Sequence, residues 1–181
     1  MQYRETIRLK DGRECLLRNA TEQDAPVVME IYALTHGETD FLASYEDENS
    51  FTLEQERAFL KAREESPREI FLLAEIDGKA VGTAGVDGLG TKEKVRYRAG
   101  FGISVLRGYW GLGIGRALVR KCIECAKSAG YAQLELDVVA DNARAVALYE
   151  SEGFVEYGRN PRGFRSRYTG WQEMLLMRRE L

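Results

Sequence analysis

The stretch Trp110-Gly111-Leu112-Gly113-Ile114-Gly115-Arg116-Ala117-Leu118 constrains this chain more than any other. Three glycines alternate with large side chains, and an amphipathic run follows without a break. Glycine accepts φ > 0 and lets backbone approach a ligand closely. A helix start offers free N–H groups and the positive end of a dipole. Together they describe a phosphate cradle. Spacing narrows the ligand. A P-loop needs G-x-x-x-x-G-K-[ST], and no Lys follows these glycines. The dinucleotide pattern G-x-G-x-x-G meets Arg116 at its third glycine when started at Gly111, and Leu118 when started at Gly113. Glu135 and Asp137 do follow at roughly the 20-residue distance of a ribose-binding acid. Only one strand–helix–strand unit stands here, however, where a doubly wound fold needs several.

A second cluster lies downstream: Asn142-Ala143-Arg144-Ala145-Val146-Ala147-Leu148-Tyr149, then Gly153-Phe154. It reads N-x-x-A-x-x-L-Y-x-x-x-G-F. Trp110 to Gly115 resembles the (Q/R)-x-x-G-x-(G/A) loop of the GNAT family of N-acetyltransferases, and the downstream cluster resembles that family's second signature. The two stand in the family's order, with a helix and a strand between them. The resemblance covers roughly 70–181; the earlier part matches in its order of elements more than in motif.

Periodicity and turn signals supply those elements. Strands are expected at 6–10 and 14–18 around Asp11-Gly12, and at 70–76 and 79–86 around Asp77-Gly78. A helix over 24–35 places Val27, Val28, Ile31 and Leu34 at helical spacing behind Thr21. The segment 37–50 is acidic and irregular, and a second helix, capped by Thr52, covers 53–64. A strand over 95–105, bulged at Gly100 and Gly102, precedes a helix over 113–128. Then come a strand around Leu134, Leu136 and Val138, a helix from Asn142 to about 152, and strands at 155–158 and 173–178. The order ββ-α-α-βββ-α-β-α-ββ is mixed α/β. The resemblance implies a mixed, mostly antiparallel sheet of about seven strands, splayed between the fourth and fifth and flanked by about four helices, in a single domain over 1–181.

Composition excludes several classes. The 26 basic and 29 acidic residues leave a net charge of −3 and no electrostatic case for nucleic acid. No apolar run approaches the ~20 residues of a membrane span. The start Met1-Gln2-Tyr3-Arg4-Glu5 lacks a signal peptide's apolar segment, and three cysteines, an odd number, suit a reducing compartment, so a cytoplasmic enzyme is expected. Cys122 and Cys125 form a C-x-x-C inside a helix, with no further ligand cluster; packed thiols, and no metal, are expected.

The resemblance assigns roles. It implies acetyl-coenzyme A in the splayed gap, as acetyl donor. Ile103, Ser104 and Val105 would offer backbone groups to the pantetheine amides, as strand addition does. The pyrophosphate would lie on Gly111, Leu112, Gly113, Ile114, Gly115 and Arg116. Trp110 stands where Gln or Arg is commoner; its ring can cover the loop but brings no charge, so Arg107 or Arg116 would supply it. Arg116 opposes the helix dipole, which either a nearby anion or simple exposure explains. Asn142 is both a helix cap and, by the family match, a partner of the cofactor's arm, beside Ala145. Tyr149 lies two helical turns after Asn142 on the same face, where a phenol can give a proton to the departing thiolate; packing against Phe154 is the structural alternative.

The base and the acceptor are less constrained. Residues 95–105 carry no carboxylate where many family members have a Glu. His36, with Glu38 and Asp40, forms a polar group that could bind the acceptor or take its proton, against a chain of water to bulk. The acidic 38–49 segment suits a cationic amine or is simply solvated; Arg159, Arg162, Arg165 and Arg167 form a basic group near the end. The function implied is direct transfer of acetyl to a primary amine in a ternary complex, a small molecule before a protein N-terminus or lysine. A binding module without catalysis is the alternative. Homodimerisation, common in the family, stays open.

Overall fold

The computed structural model describes residues 2–48 and 51–181. These form β1 (Arg4–Arg8), β2 (Glu14–Asn19), α1 (Ala25–Glu38), α2 (Leu53–Glu65), β3 (Ile70–Ile76), β4 (Lys79–Gly88), β5 (Arg98–Val105), α3 (Ile114–Ser128), β6 (Gln133–Val139), α4 (Ala143–Ser151), β7 (Val155–Ser166) and β8 (Gly170–Glu180). One sheet of eight strands has the order β1-β2-β3-β4-β5-β6-β8-β7. Asn49, the last residue of the acidic segment expected from the sequence, lies outside the described residues.

Every pairing is antiparallel except β5–β6. That parallel pair has three rungs, Arg98↔Gln133, Ala99↔Leu134 and Gly100↔Glu135. Beyond them β5 stays on β4 as far as Val105, and β6 stays on β8 as far as Val139. The sheet therefore opens into a V. With eight strands instead of about seven, the opening falls between the fifth and sixth in chain order.

Alternation along β3 shows how the two faces are covered. Leu72 and Leu73 are adjacent and both fully buried, yet they join different clusters. Leu72 packs with Ala84, Val86, Leu134 and the apolar stripe of α3, including Leu118 and Cys122. Leu73 packs with Ala20, Ala25, Val28 and Leu60 on the α1–α2 side. The two thiols of α3 are buried and unbonded, as expected, and burial pushes both pKa values up. Thr52 caps α2, its side chain accepting from Gln55 N–H.

Several boundaries differ from expectation, beginning with β1, which spans Arg4–Arg8 instead of 6–10. α1 runs to Glu38 instead of 35, so His36 and Glu38 sit in its last turn rather than in irregular chain. Polar side chains there bond the helix's own carbonyls: Thr35 Oγ1 to Ile31 C=O at 2.7 Å and His36 Nδ1 to Tyr32 C=O at 2.7 Å. β5 begins at Arg98, because Val95 and Arg98 close turns onto Lys92 and Val95, and its register on β4 passes Gly100 and Gly102 without a bulge. The last hairpin is far longer than 155–158 and 173–178. Register shifts at Glu156/Gly158 and Asn160/Phe164 absorb its turn-forming residues, including Pro161 and Gly163.

The last shared rung of the V carries a clasp. Arg98 reaches Glu135 through Nε at 2.5 Å and a terminal nitrogen at 2.7 Å. Gln133 Nε2 adds a bond at 2.6 Å and the Tyr157 hydroxyl one at 3.5 Å. Glu135 is only 8% exposed, and the Arg98 hydrogen bonds hold its carboxyl below the ordinary glutamate range. Its stabilisation is complete above the unfolded value of ~4.3 and is lost as pH falls through the lower folded value. Glu135→Gln should lower stability near neutral pH and flatten acid unfolding in this range, measured by urea midpoints against pH; identical curves would show that the clasp contributes nothing.

Candidate active site

β5 leads into the glycine loop, and the loop into α3. Gly111 and Gly113 take φ of 80° and 102°, and Gly113 is the N-cap of α3. A Cβ at either would meet nothing within 4 Å, so this backbone faces open space. Gly115 serves packing instead: a Cβ there would sit 3.4 Å from Leu148 and 3.9 Å from Ile103. Lys10 N–H donates to Leu112 C=O at 3.1 Å and ties the loop to the β1–β2 hairpin. The first-turn N–H groups of α3 lack intrahelical acceptors and point out of the helix start.

The open edge of β5 follows from alternation. Leu106 N–H donates to Val81 C=O at 2.9 Å, so Leu106 and Ser104 turn their backbone toward β4. Ser104 Oγ and Thr83 Oγ1 lie 3.0 Å apart. Ile103 and Val105 turn their backbone the other way, into the V. Trp110 Nε1 donates to Val105 C=O at 2.6 Å and occupies that acceptor. Of the three β5 positions expected at the cofactor arm, two therefore face the gap and Ser104 does not.

Charge at the loop comes from an arrangement the sequence only partly showed. The Trp110 ring has the Arg144 guanidinium 4.2 Å from its centroid and that of Arg107 at 5.6 Å. Both arginines are exposed, and neither forms an ion pair among the described residues. Arg144 was missed; its signal was a cation in the first turn of α4, beside Asn142. Arg116 is spoken for: its side chain lies 3.2 Å from both Glu152 and Ser151 Oγ. The nearby anion is this carboxylate, which Arg120 also meets at 2.9 Å.

Asn142 caps α4, its Oδ1 accepting from Ala145 N–H at 3.3 Å. Tyr149 is 8% exposed and packs by its ring edge on Phe101 and at a tilt on Phe154. Burial pushes its hydroxyl up to about 12. That hydroxyl makes no hydrogen bond to the described residues. Phe101 and Ile103 pack on the α3 side of the sheet, so Tyr149 approaches the V from that side.

The opposite face holds an exposed carboxylate, Asp137. Arg98, Gly100 and Gly102 share the β5 face away from Ile103. Arg98 grips Glu135 there, so Asp137, two residues further along β6, shares that face. Asp137 stands two residues past the last rung, where the strands have parted. Gly102, across the gap, has open space above it. Among the described residues nothing pairs with Asp137, and partial desolvation, then the Glu135 charge, pushes its carboxyl up.

A cavity of about 530 Å³ lies between the end of α1, the 39–48 loop, Arg107 and the β7–β8 turn. His36 stacks on Tyr32 at 3.8 Å. Its Nδ1 donates to Tyr32 C=O, and burial lowers its pKa, which leaves a neutral ring with a lone pair on Nε2. Glu38 accepts from Arg107 N–H at 2.6 Å, linking α1 to the glycine loop. Asp40 is saturated by donors from its own loop and from the last hairpin. All three residues expected to bind acceptor line the cavity; His36 and Glu38 have bonding capacity to spare, and Asp40 has none. The four arginines of the last hairpin do not act as one patch: Arg159 pairs with Glu156 and Glu173, and Arg167 with Asp47 and Glu48.

The profile of the Acetyltransferase (GNAT) family matches residues 29–154, well over half of the chain. The chain belongs to the GNAT acetyltransferase family, which transfers acetyl groups to amines with acetyl-coenzyme A as donor. An acetyltransferase of this family from Streptococcus pneumoniae superposes with a TM-score of 0.88 at 30% identity, over 92% of this chain and 99% of that one. The yncA acetyltransferase from Salmonella typhimurium, solved with acetyl-coenzyme A, has the same fold at 22% identity (TM-score 0.79, 91% and 92% covered). The N-alpha-acetyltransferase RimI of Mycobacterium tuberculosis is 36% identical over 100 residues, 55% of this chain and 61% of RimI. The chain thus spans less than two-thirds of that relative's length. No helix among the described residues is long and apolar enough to cross a membrane.

Gly113→Ala tests the cradle. Its φ of 102° is costly for any side chain, so a loss of about 1–2 kcal/mol should appear in urea denaturation, with weaker acetyl-coenzyme A binding by calorimetry. Gly115→Ala should instead disturb packing against Leu148.

Proposed function

We propose that this chain transfers acetyl directly from acetyl-coenzyme A to a primary amine, with Tyr149 and Asp137 serving opposite sides of one gap. The observation that carries the proposal is their placement. Tyr149 reaches the V from the α3 side, and Asp137 stands on the other face, just beyond the last rung.

The glycine loop fits the diphosphate of the donor, with left-handed backbone at Gly111 and Gly113 and open space above both. Leu112, Ile114, Gly115 and Arg116 would contribute through backbone alone. Arg107 and Arg144, on either flank of Trp110, supply the cations. Ile103 and Val105 offer the edge of β5 to the amide-bearing arm, with Asn142 and Ala145 on the opposite wall. When bound, the donor supplies the reactive thioester.

The protein's own work is positioning and proton handling. Holding amine and thioester together supplies much of the acceleration. Asp137 accepts the ammonium proton, directly or through a water, as the amine attacks. Tyr149 keeps its proton at neutral pH and donates to the departing sulfur. The burial that raises this phenol raises a thiolate leaving into the same space as well, so the two stay matched. This pairing argues against a module without catalysis, which had rested on the absence of a carboxylate from β5.

For the acceptor, the similarity to an N-alpha-acetyltransferase and the roughly peptide-sized cavity support a peptide amino terminus. A small primary amine is the second reading, favoured by the carboxylates of Glu38 and Glu46 at the cavity wall.

Tyr149→Phe should lower kcat about 10²-fold while acetyl-coenzyme A affinity is kept; an unchanged kcat would return Tyr149 to a packing role. In Asp137→Asn the acid limb of the kcat/KM profile should move up to the acceptor's own pKa, so that activity recovers only as pH rises toward it. That recovery separates the acceptors, since an α-amine titrates near ~8 and an alkylamine near ~10.4.

A further inference from the structure

Among the described residues, Asp40 is the most heavily bonded carboxylate that no ion pair explains. Its Oδ2 accepts from Ser166 Oγ at 2.6 Å, Gln172 Nε2 at 3.2 Å and Thr169 Oγ1 at 3.4 Å. Its Oδ1 accepts from the Tyr45 hydroxyl at 3.2 Å. Its backbone C=O takes a further bond from Gln172 Nε2 at 3.2 Å. All the side-chain donors are neutral, and Ser166 and Gln172 are each 8% exposed.

The partners lie on two elements distant in sequence. Tyr45 belongs to the loop after α1; Ser166, Thr169 and Gln172 belong to the β7–β8 turn and its strand. The network continues past Asp40. Ser166 Oγ accepts from Tyr168 N–H at 2.9 Å and Thr169 N–H at 3.0 Å, which shapes the turn. The Tyr45 hydroxyl accepts from Arg167 N–H at 2.7 Å, which returns the turn to the loop. These same segments form two walls of the 530 Å³ cavity, with Arg107 and Glu38 joining it to the end of β5.

We propose that Asp40 is a positioning residue, a latch that holds the two walls of the acceptor cavity at a fixed separation and so sets affinity for acceptors large enough to fill it. The inference rests on the acetyltransferase function proposed above. The ties that bypass Asp40 run through Tyr45, which meets Arg167 at 4.1 Å and Tyr168 at 5.9 Å, and through ion pairs. Arg167 meets Asp47 and Glu48 in solvent, and exposed pairs hold little. A carboxylate bonded by four neutral donors, two of them on the buried side chains Ser166 and Gln172, is both stronger and more directional. Removing its charge leaves hydroxyl and amide donors without acceptors. Asparagine keeps the shape but turns an N–H₂ toward those donors.

Asp40→Asn and the milder Ser166→Ala test the latch by two routes. Hydrogen exchange of residues 39–48 and 166–170 is compared with wild type, with acetyl-coenzyme A affinity measured by calorimetry. Transfer is measured to an alanyl tripeptide amide and to ethylamine, which is too small to touch both walls. In Asp40→Asn, exchange should rise in both segments together, donor affinity should hold, and the ratio of tripeptide to ethylamine kcat/KM should fall about tenfold, mainly through KM. Ser166→Ala should follow in the same direction by less. Unchanged exchange and an unchanged ratio would overturn the latch. Equal losses on both amines would overturn it too, by showing general damage. Wild-type protein that binds no acetyl-coenzyme A would instead sink the underlying function, and the acceptor role with it.

Discussion

The structure depends on the place where β5 and β6 stop pairing. Three parallel rungs hold them, and then each strand continues on its other neighbour alone. A parted pair leaves backbone N–H and C=O groups facing a gap, and such groups need partners. Trp110 answers for one, the C=O of Val105. In the function proposed above, the rest of the β5 edge pairs with the amides of the donor's arm. The Arg98–Glu135 clasp sits at the final rung, so the opening has a defined apex. Without it, two strands joined by so few bonds could close further or part earlier, and either change would move every group along the gap.

Electrostatics at the mouth of the gap is organised around an aromatic ring. Where the family more often has Gln or Arg, this chain places Trp110 and gathers Arg107 and Arg144 beside its ring. An arginine near an indole keeps its N–H edge free for a phosphate oxygen. The charge absent from the loop is thereby restored from α4 and from the 107–109 turn. Arg116 stands in the first turn of α3 for another reason: Glu152, buried at the end of α4, needs a cation, and Arg116 and Arg120 provide two. That is a contact between helices and not a mark of the ligand.

Much of this was legible in the sequence because it is local. The glycine loop, the Asn142 cap, the α3 stripe and the Asp-Gly turns are each written within a few residues. What escaped is non-local. Nothing near Thr35 shows that α1 continues to Glu38, because Thr35 and His36 mimic a loop while bonding helix carbonyls. The polar run 159–170 reads as a loop; it is a hairpin because β8 and the Asp40 network hold its far end. Arg144 looked like a surface residue until Trp110 came beside it. Ser104 belonged to the right strand, but its backbone faces β4, a matter of register that a motif does not carry.

Asp137 shows the same limit most sharply. In sequence Glu135 and Asp137 are equivalent, two acids alternating with leucine and valine on one face of a strand. The fold separates them by two residues. Glu135 lies at the last rung and is consumed by Arg98, Gln133 and Tyr157. Asp137 lies two residues beyond, where β5 has moved away and, among the described residues, no cation pairs with it. The first is held well ionised as structure, and the second is pushed toward protonation beside an open gap. In the function proposed above, Tyr149 on the α3 side and Asp137 on the other face serve the gap between β5 and β6 from its two sides, the phenol staying protonated because it is buried and the carboxylate accepting a proton.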